Sequence, residues 1–289
     1  MIIDRLLDLP PRVSARKIRQ RILGTQGGFD VENILQTPRL MRSQRFYDFL
    51  SRYEAILLRA DNWKSLEFDE RDVLEIGCGQ MLGFGPIAIF RGANSYSGIE
   101  PLFDDRVLHA PEIVDTYYLH VFKDLSAIYG PLLSFDEFMM RLRTRVTVNS
   151  EYLVESSFTG PFDVVISNSC LEHIFDFEAS MSALHKRSAP NCRYLHLVDF
   201  ANHLLSKHPF DGLYSVDPDT FWSKHGRNIN LHRLPEIIQG LENAGFKPGV
   251  VPYSHFPEAY SGSLHPYWRE RYPDDQILFL KTAIIHSAD

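Results

Sequence analysis

The stretch DVLEIGCGQMLGFGPIAIFRGANSYSGIEP, residues 72–101, decides the fold of this chain. It begins with a short apolar strand, turns at Gly77 and Gly79, continues through an apolar helical segment and reaches a second apolar strand that ends at Glu100. Glycine permits positive φ and a close approach of a ligand to the backbone, and an acid after the second strand suits ribose hydroxyls. A GxG turn after a strand, with an acid 21 residues beyond Gly79, therefore predicts a βαβ unit that binds a nucleotide.

The composition is that of a globular protein with one large domain and elaborations. The chain has 289 residues, 44% of them hydrophobic, and a formal net charge of −7, which speaks against nucleic acid as a partner. Residues 1–21 contain acids and prolines where a signal peptide needs an apolar run, and no window of about 18 apolar residues follows, so we expect no stable membrane insertion. Three cysteines without metal-type spacing favour a reduced, cytoplasmic location.

The N-terminal part of the chain is predicted to be helical. Thr37 and Pro38 form a helix start, and apolar residues follow at spacings of three and four. We interpret residues 1–65 as a helical N-terminal extension or lid, and residues 66–289 as the main domain.

A helical insertion is predicted at about residues 101–145, where a third strand is otherwise expected. Gly130 and Pro131 divide it into two helices, and Ser134 with Glu137 forms a capping box at the start of the second. An insertion there lies near the carboxyl ends of the strands, where open α/β sheets bind ligands.

The remaining chain alternates apolar strands with helices, which is typical of a doubly wound α/β sheet. A turn is predicted at Pro190 and Asn191. The further strands are predicted at 146–148 or 152–154, 162–167, 194–198, 250–251 and 276–285.

Four motifs, in this order, resemble those of the class I S-adenosylmethionine-dependent methyltransferases. They are VLEIGCG (residues 73–79), SGIEP (97–101), FDVVISNSCLEHI (162–174) and LPEIIQGLENAGF (234–246). The resemblance implies a Rossmann-like, seven-stranded and mostly parallel sheet whose last strand runs antiparallel between strands five and six. It also implies that S-adenosyl-L-methionine is the cofactor.

The resemblance assigns cofactor contacts to the first turn and the second strand. Glu75, Gly77, Cys78 and Gly79 are expected at the methionine end of the cofactor, and Glu100 is expected to accept both ribose hydroxyls. The chain departs from the family pattern after Gly79, where it lacks the usual third glycine, so the path of this loop is an open question.

Two further contacts follow from the resemblance. Asn168, at the end of strand four, is expected beside the sulfonium. The adenine amine is expected to meet an acid or amide after strand three; Glu155 is preferred, and Asn149 and Glu151 are alternatives because the strand boundary is ambiguous.

Three residues are candidates for catalysis. His173 is the first candidate base, since its turn faces the methyl group in related folds, although the Glu-His pair also serves to orient a helix. Asp199 and His203 belong to a polar segment after strand five that is suited to acid/base chemistry or to hydrogen bonding with a hydrophilic substrate. No HxH or HExxH spacing supports a metal, and none is predicted.

These observations predict an O-methyltransferase that acts on a small polar or sugar-containing substrate, because polar His, Asp and Asn residues predominate after strand five. N-methylation of a small molecule is the alternative within the class, and a catalytically silent S-adenosylmethionine-binding scaffold is the alternative outside it. The oligomeric state is left open.

Overall fold

The structure, a computed structural model, describes residues 66–204, 206, 208–256, 260 and 262–288. The helical extension expected over residues 1–65 lies outside these residues. Among the described residues, no helix combines the length and the apolar character that crossing a bilayer requires.

The centre of the fold is a seven-stranded sheet of order β3-β2-β1-β4-β5-β7-β6. The strands β1 to β5 pair in parallel, and β7 pairs antiparallel with both β5 and β6. This confirms the predicted doubly wound α/β sheet with one antiparallel strand. The strands are β1 (Asp72–Ile76), β2 (Ser95–Ile99), β3 (Val146–Asn149), β4 (Phe162–Asn168), β5 (Ser188–Asp199), β6 (Pro248–His255) and β7 (Leu280–Ser287).

Helices cover both faces of the sheet, so the central strands are apolar almost throughout, as buried parallel strands require. One buried cluster contains α1 and the insertion, and a second contains α4 and α6. The helices are α1 (Gly85–Phe90), α2 (Leu119–Tyr129), α3 (Phe135–Arg145), α4 (Phe177–Arg187), α5 (Pro218–His225), α6 (Leu234–Ala244), α7 (Pro266–Arg271) and α8 (Asp275–Leu278).

The segment 101–145 is largely helical, as expected. The helix α2 continues a π-helical segment (Val114–Tyr118) and ends at Gly130, which adopts φ 83°. The next helix, α3, begins after Ser134, whose hydroxyl oxygen accepts from the Glu137 N–H at 3.2 Å. Because α3 leads directly into β3, the third strand is 146–149 and not 152–154.

Two sequence predictions are wrong. The last strand begins at Leu280 and not at Gln276, because the Asp274 carboxylate accepts from the Gln276 N–H at 2.8 Å and starts a short helix instead. The predicted turn at residues 190–191 lies within β5, where the register against β4 shifts between Phe162 and Val164 and accommodates extra residues.

A third apolar cluster lies outside the sheet and is built from the chain after β5 and the chain before β7. It encloses the Arg233 guanidinium, which donates to the Phe200 carbonyl at 2.6 Å and to the Tyr214 hydroxyl at 3.2 Å. The buried members are Phe210, Leu213, Tyr214, Phe221, Ile229, Leu231, Trp268, Tyr272, Leu278 and Phe279.

Candidate active site

The turn after β1 is joined to the end of β2 by the Glu100 carboxylate. One Glu100 oxygen accepts from the Gly79 N–H at 2.9 Å, and the other accepts from the Leu102 N–H at 3.1 Å. Gly77 and Gly79 have φ of 72° and 65°, a conformation that favours glycine. The structure therefore brings three of the residues assigned to the cofactor together at the carboxyl end of the sheet.

The Glu75 side chain lies beneath this turn and is only 1% exposed. Its carboxylate accepts from the Phe84 N–H and from the Tyr96 hydroxyl, both at 2.7 Å. Burial raises the pKa of the Glu75 carboxyl to about 8. In this position Glu75 supports the loop on which Gly77 and Gly79 lie, and a direct contact between its carboxyl and a cofactor stays a prediction.

The loops after β1 and β4 are in close contact. A Cβ added to Gly77 would lie 2.7 Å from the Cys170 sulfur, so only glycine fits there. Cys78 is buried and directs its sulfur towards Gly98 of β2, where an added Cβ would lie 2.7 Å away. The Cys78 side chain therefore packs in the core, while its backbone forms part of the turn.

The geometry of this turn fits S-adenosylmethionine, the cofactor that the sequence motifs imply. Apart from Gly79 and its two neighbours in sequence, no described residue has a heavy atom within 4 Å of the position that a Gly79 Cβ would occupy, so there is space above the turn. Each Glu100 oxygen accepts one backbone N–H and keeps a lone pair free, and two ribose hydroxyls require two such acceptors.

The candidates for the adenine contact lie in the segment that follows β3. Asn149 ends the strand, is half-buried, and its carbonyl accepts from the Glu100 N–H at 3.0 Å. Glu151 and Glu155 are exposed and follow in a turn. A cavity of about 740 Å³ opens next to Pro101 and is lined by residues of the segments 101–109 and 146–150 and by Arg143. The choice among the three candidates stays a prediction.

Asn168 is the last residue of β4 and is half-buried. The chain turns sharply after it, since Ser169 has φ 51° and donates its N–H to the Leu197 carbonyl at 2.9 Å. This turn leads into a short 3-10 helix (Leu171–His173) at the carboxyl end of the sheet.

The three catalytic candidates, His173, Asp199 and His203, lie together at the ends of β4 and β5, with Glu172 as a fourth member. The rings of His173 and His203 are 4.9 Å apart between centroids. The His203 Nε2 lies 3.8 Å from a Glu172 carboxylate oxygen, which also accepts from the Asp199 N–H at 3.3 Å. We refer to these four residues as the β4–β5 cluster.

Burial shifts the pKa values of two members of this cluster, Glu172 and His203. Burial, aided by the charge of the Asp199 carboxylate, raises the pKa of Glu172 to about 8. Burial also lowers the pKa of His203, an effect that Asp199 opposes and His173 reinforces. The His203 side chain keeps one quarter of its surface exposed, so the cluster is accessible from solvent.

Glu172 was not among the residues predicted for the site, because its burial depends on contacts with residues that are distant in the sequence. The main such contact is Asn230, which donates its N–H to the Glu172 carbonyl at 2.8 Å. The Asn230 side chain also donates to the Leu171 and Ile174 carbonyls at 2.9 and 2.8 Å. Apart from the LEH run at residues 171–173, no sequence signal predicts these hydrogen bonds from Asn230.

Comparison with known proteins agrees with the fold and the motifs. The model of a family described as a methyltransferase domain matches residues 41–249, which is most of the chain. No curated protein matches the chain significantly in sequence.

The chain also matches several methyltransferases of known structure at low identity. An S-adenosylmethionine-dependent methyltransferase from Mesorhizobium loti is 14% identical, with a TM-score of 0.43, over 77% of this chain and 92% of that one. Phosphoethanolamine N-methyltransferase 2 from Haemonchus contortus is 14% identical, with a TM-score of 0.46, over 91% and 61%. Geranyl diphosphate C-methyltransferase from Streptomyces coelicolor is 14% identical, with a TM-score of 0.46, over 82% and 76%.

Proposed function

The chain belongs to the methyltransferase domain family and is an S-adenosylmethionine-dependent methyltransferase, and from this premise we propose that it methylates a hydroxyl group of a small polar or sugar-containing substrate. The observation that carries the proposal is the β4–β5 cluster, which places two imidazoles and two carboxylates next to each other at the carboxyl end of the sheet.

The cofactor is held by the first turn and the end of β2 in this proposal. The Glu100 carboxylate accepts hydrogen bonds from the two ribose hydroxyls. Glu75 supports the Gly77–Gly79 turn from below, and this turn lets the methionine end of the cofactor lie close to the backbone. When bound, S-adenosylmethionine supplies a methyl group on a positively charged sulfur. Asn168, at the end of β4, is the residue that we expect beside this sulfur.

The groups of the β4–β5 cluster favour a hydroxyl oxygen over an amine nitrogen as the methyl acceptor. In methyl transfer to a hydroxyl, the oxygen forms a bond to the methyl carbon, the carbon–sulfur bond breaks with its electron pair left on sulfur, and the hydroxyl proton must leave. A neutral amine is already nucleophilic and needs less help, whereas a hydroxyl gains from nearby groups that receive its proton. The β4–β5 cluster provides such groups.

His173 is the first candidate for the proton acceptor. Its Nδ1 lies 2.6 Å from the Asn228 carbonyl oxygen, which can only accept, so Nδ1 carries the hydrogen and Nε2 carries the lone pair. Asp199 and His203 assist by hydrogen bonding to the substrate. A cytoplasmic location and a lack of affinity for nucleic acid are part of the same proposal.

Methyl-labelled S-adenosylmethionine tests this proposal with two matched panels of small molecules, sugars and other hydroxyl compounds in one and amines of similar size in the other. We expect labelled product from the hydroxyl panel, identified by mass spectrometry. We also expect His173→Ala to lower turnover by about 100-fold, in the range typical of general base catalysis. Its affinity for S-adenosylhomocysteine should be unchanged.

The matched control is His120→Ala, since His120 is an exposed histidine on α2. Its turnover should equal that of the wild type. Methylation of amines alone would support the N-methyltransferase alternative, and transfer to neither panel would support the silent scaffold. Wild-type turnover by His173→Ala would remove His173 from the reaction.

A further inference from the structure

Three side chains of the β4–β5 cluster have the composition and spacing of a metal site. Glu172, His173 and His203 each offer one ligand atom, and these atoms all lie within 4.8 Å of one another. Among the described residues, they are the one group of three or more His, Cys, Asp or Glu side chains with this property. The 3.8 Å between the His203 Nε2 and the Glu172 oxygen is too long for a hydrogen bond. It is near the roughly 3.4 Å that separates two ligand atoms around a tetrahedral Zn²⁺.

The Glu172 carboxyl is an independent observation that favours a cation at this site. The residue is only 3% exposed, and its Oε2 is buried without a hydrogen-bond partner in the described part of the chain. Its other oxygen faces His203 and the Asp199 N–H, and the Asp199 carboxylate lies nearby. A buried carboxyl with an unpaired oxygen is costly unless a cation or a donor meets it.

The orientation of His173 is the second indication. Metal-bound histidines usually donate their other ring N–H to a carbonyl or a carboxylate, which fixes the tautomer and directs the free nitrogen towards the ion. The 2.6 Å contact between His173 Nδ1 and the Asn228 carbonyl has this form and leaves Nε2 as the ligand atom.

We propose that Glu172, His173 and His203 bind one divalent first-row transition ion, of the class of Zn²⁺ or Co²⁺, at the carboxyl ends of β4 and β5. Two imidazoles and one carboxylate favour such ions over Mg²⁺, which prefers oxygen ligands. Three protein ligands leave at least one coordination position open on the accessible side, where both histidines are exposed.

Binding of the ion does not depend on the identity of the methyl acceptor. If the acceptor is a hydroxyl, which rests on the proposed function, the open position would hold its oxygen and the ion would make its proton easier to lose. The ion would then occupy the His173 Nε2, so Asp199 would replace His173 as the proton acceptor of the proposed function.

Titration of the full-length, tag-free protein with Co²⁺ and with Zn²⁺, in the absence of substrate, tests the inference. The measurements are calorimetry for both ions and the visible absorption of Co²⁺, whose bands report imidazole ligation. We expect one equivalent to bind. His173→Ala and His203→Ala should each weaken binding by well over 100-fold, which is more than the roughly 10–100-fold that loss of an outer-shell partner costs. His120→Ala should bind like the wild type, and excess Mg²⁺ should not compete.

Glu172→Gln is the matched test of the carboxylate, and far-UV circular dichroism with S-adenosylhomocysteine binding establishes that each variant is folded. Should Glu172→Gln fail to fold, the two histidine variants decide. The inference is overturned if the wild type binds no stoichiometric ion, or if a folded His203→Ala variant binds as tightly as the wild type. Because no methyl transfer is measured, either outcome leaves the proposed O-methylation to its own test.

Discussion

Glu75 shows how one buried carboxyl shapes the turn above it. Its oxygens occupy the space next to Gly83, where an added Cβ would lie 2.1 Å away, and they hold the Phe84 N–H and the Tyr96 hydroxyl. The chain has no third glycine at the usual position after Gly79, and this internal anchor sets the path of the loop instead. The motif predicts that Glu75 lies at the methionine end of the cofactor, but it does not predict that the side chain faces inward.

The raised pKa of Glu75, about 8, makes stability depend on pH. The native carboxyl holds its proton to a higher pH than the unfolded one, whose ordinary value is 4.5, so this contribution is fully present below pH 4.5 and is lost as the pH rises towards 8. Glu75→Gln removes the titrating group and keeps the shape. Between pH 5 and 8 we expect its free energy of unfolding to rise relative to wild type by up to about 1.4 kcal/mol per pH unit.

Chemical denaturation at several pH values measures this difference. The surface control Glu270→Gln should give a curve parallel to that of the wild type. If the wild-type and Glu75→Gln curves were also parallel, the buried neutral carboxyl would be ruled out.

At the scale of single residues, position along a strand is the most useful signal in the sequence. Glu100 is predictable because an acid that directly follows an apolar strand lies at the carboxyl edge of the sheet, where its oxygens meet the Gly79 turn. Glu172 is not predictable in this way. Its burial depends on contacts with residues near 200 and 230, and no local pattern encodes them.

At the scale of elements, the loop that carries His173 is held by a segment more than 50 residues away in sequence. The Asn230 side chain and backbone make three hydrogen bonds to residues 171–174, and the Asn228 carbonyl holds the His173 ring. The 3-10 helix that carries His173 has only three residues and cannot fix this geometry alone.

Replacement of Asn230 by Ala should therefore affect both stability and turnover. It removes three side-chain hydrogen bonds, two to the Leu171 and Ile174 carbonyls and one from the His232 N–H, so we expect a loss of about 1–3 kcal/mol in the free energy of unfolding. Turnover should fall while S-adenosylhomocysteine affinity stays unchanged, because the Glu100 end of the site is separate. Asn191→Ala, at an exposed position, is the control for denaturation and kinetics. Unchanged turnover in Asn230→Ala would mean that catalysis does not depend on the hydrogen bonds from Asn230 to this loop.

Most elements are predictable from apolar runs and capping residues, and the exceptions have local causes. The predicted start of β7 at Gln276 is wrong because Asp274 caps a short helix, and the apolar run that follows suits a strand equally well. The third strand is ambiguous in sequence because two short β-prone runs, at 146–148 and 152–154, lie close together. Pairing with β2 selects the first.

At the scale of the whole molecule, the sheet brings together residues that are far apart in the chain. The strand order places β1 beside β2 and β4, and β4 beside β5. Adjacent parallel strands therefore carry Gly79, Glu100, Asn168 and Asp199 at or just after their carboxyl ends. This arrangement follows from the alternation of strands and helices and was predictable. The third apolar cluster around Arg233 was not, since its residues come from irregular segments whose packing depends on tertiary contacts.

The central claim is that the turn after β1 and the Glu100 carboxylate form the cofactor site, and calorimetry with S-adenosylhomocysteine tests it most directly. Wild-type protein and the control Glu178→Ala, at an exposed position on α4, should bind one equivalent with the same affinity. Glu100→Ala and Glu100→Gln should bind at least about tenfold more weakly, since each hydrogen bond to a charged group is worth about 1.5–3 kcal/mol. Thermal melts should show all variants folded. Wild-type affinity in a folded Glu100→Ala variant, or no binding by the wild type, would contradict the account.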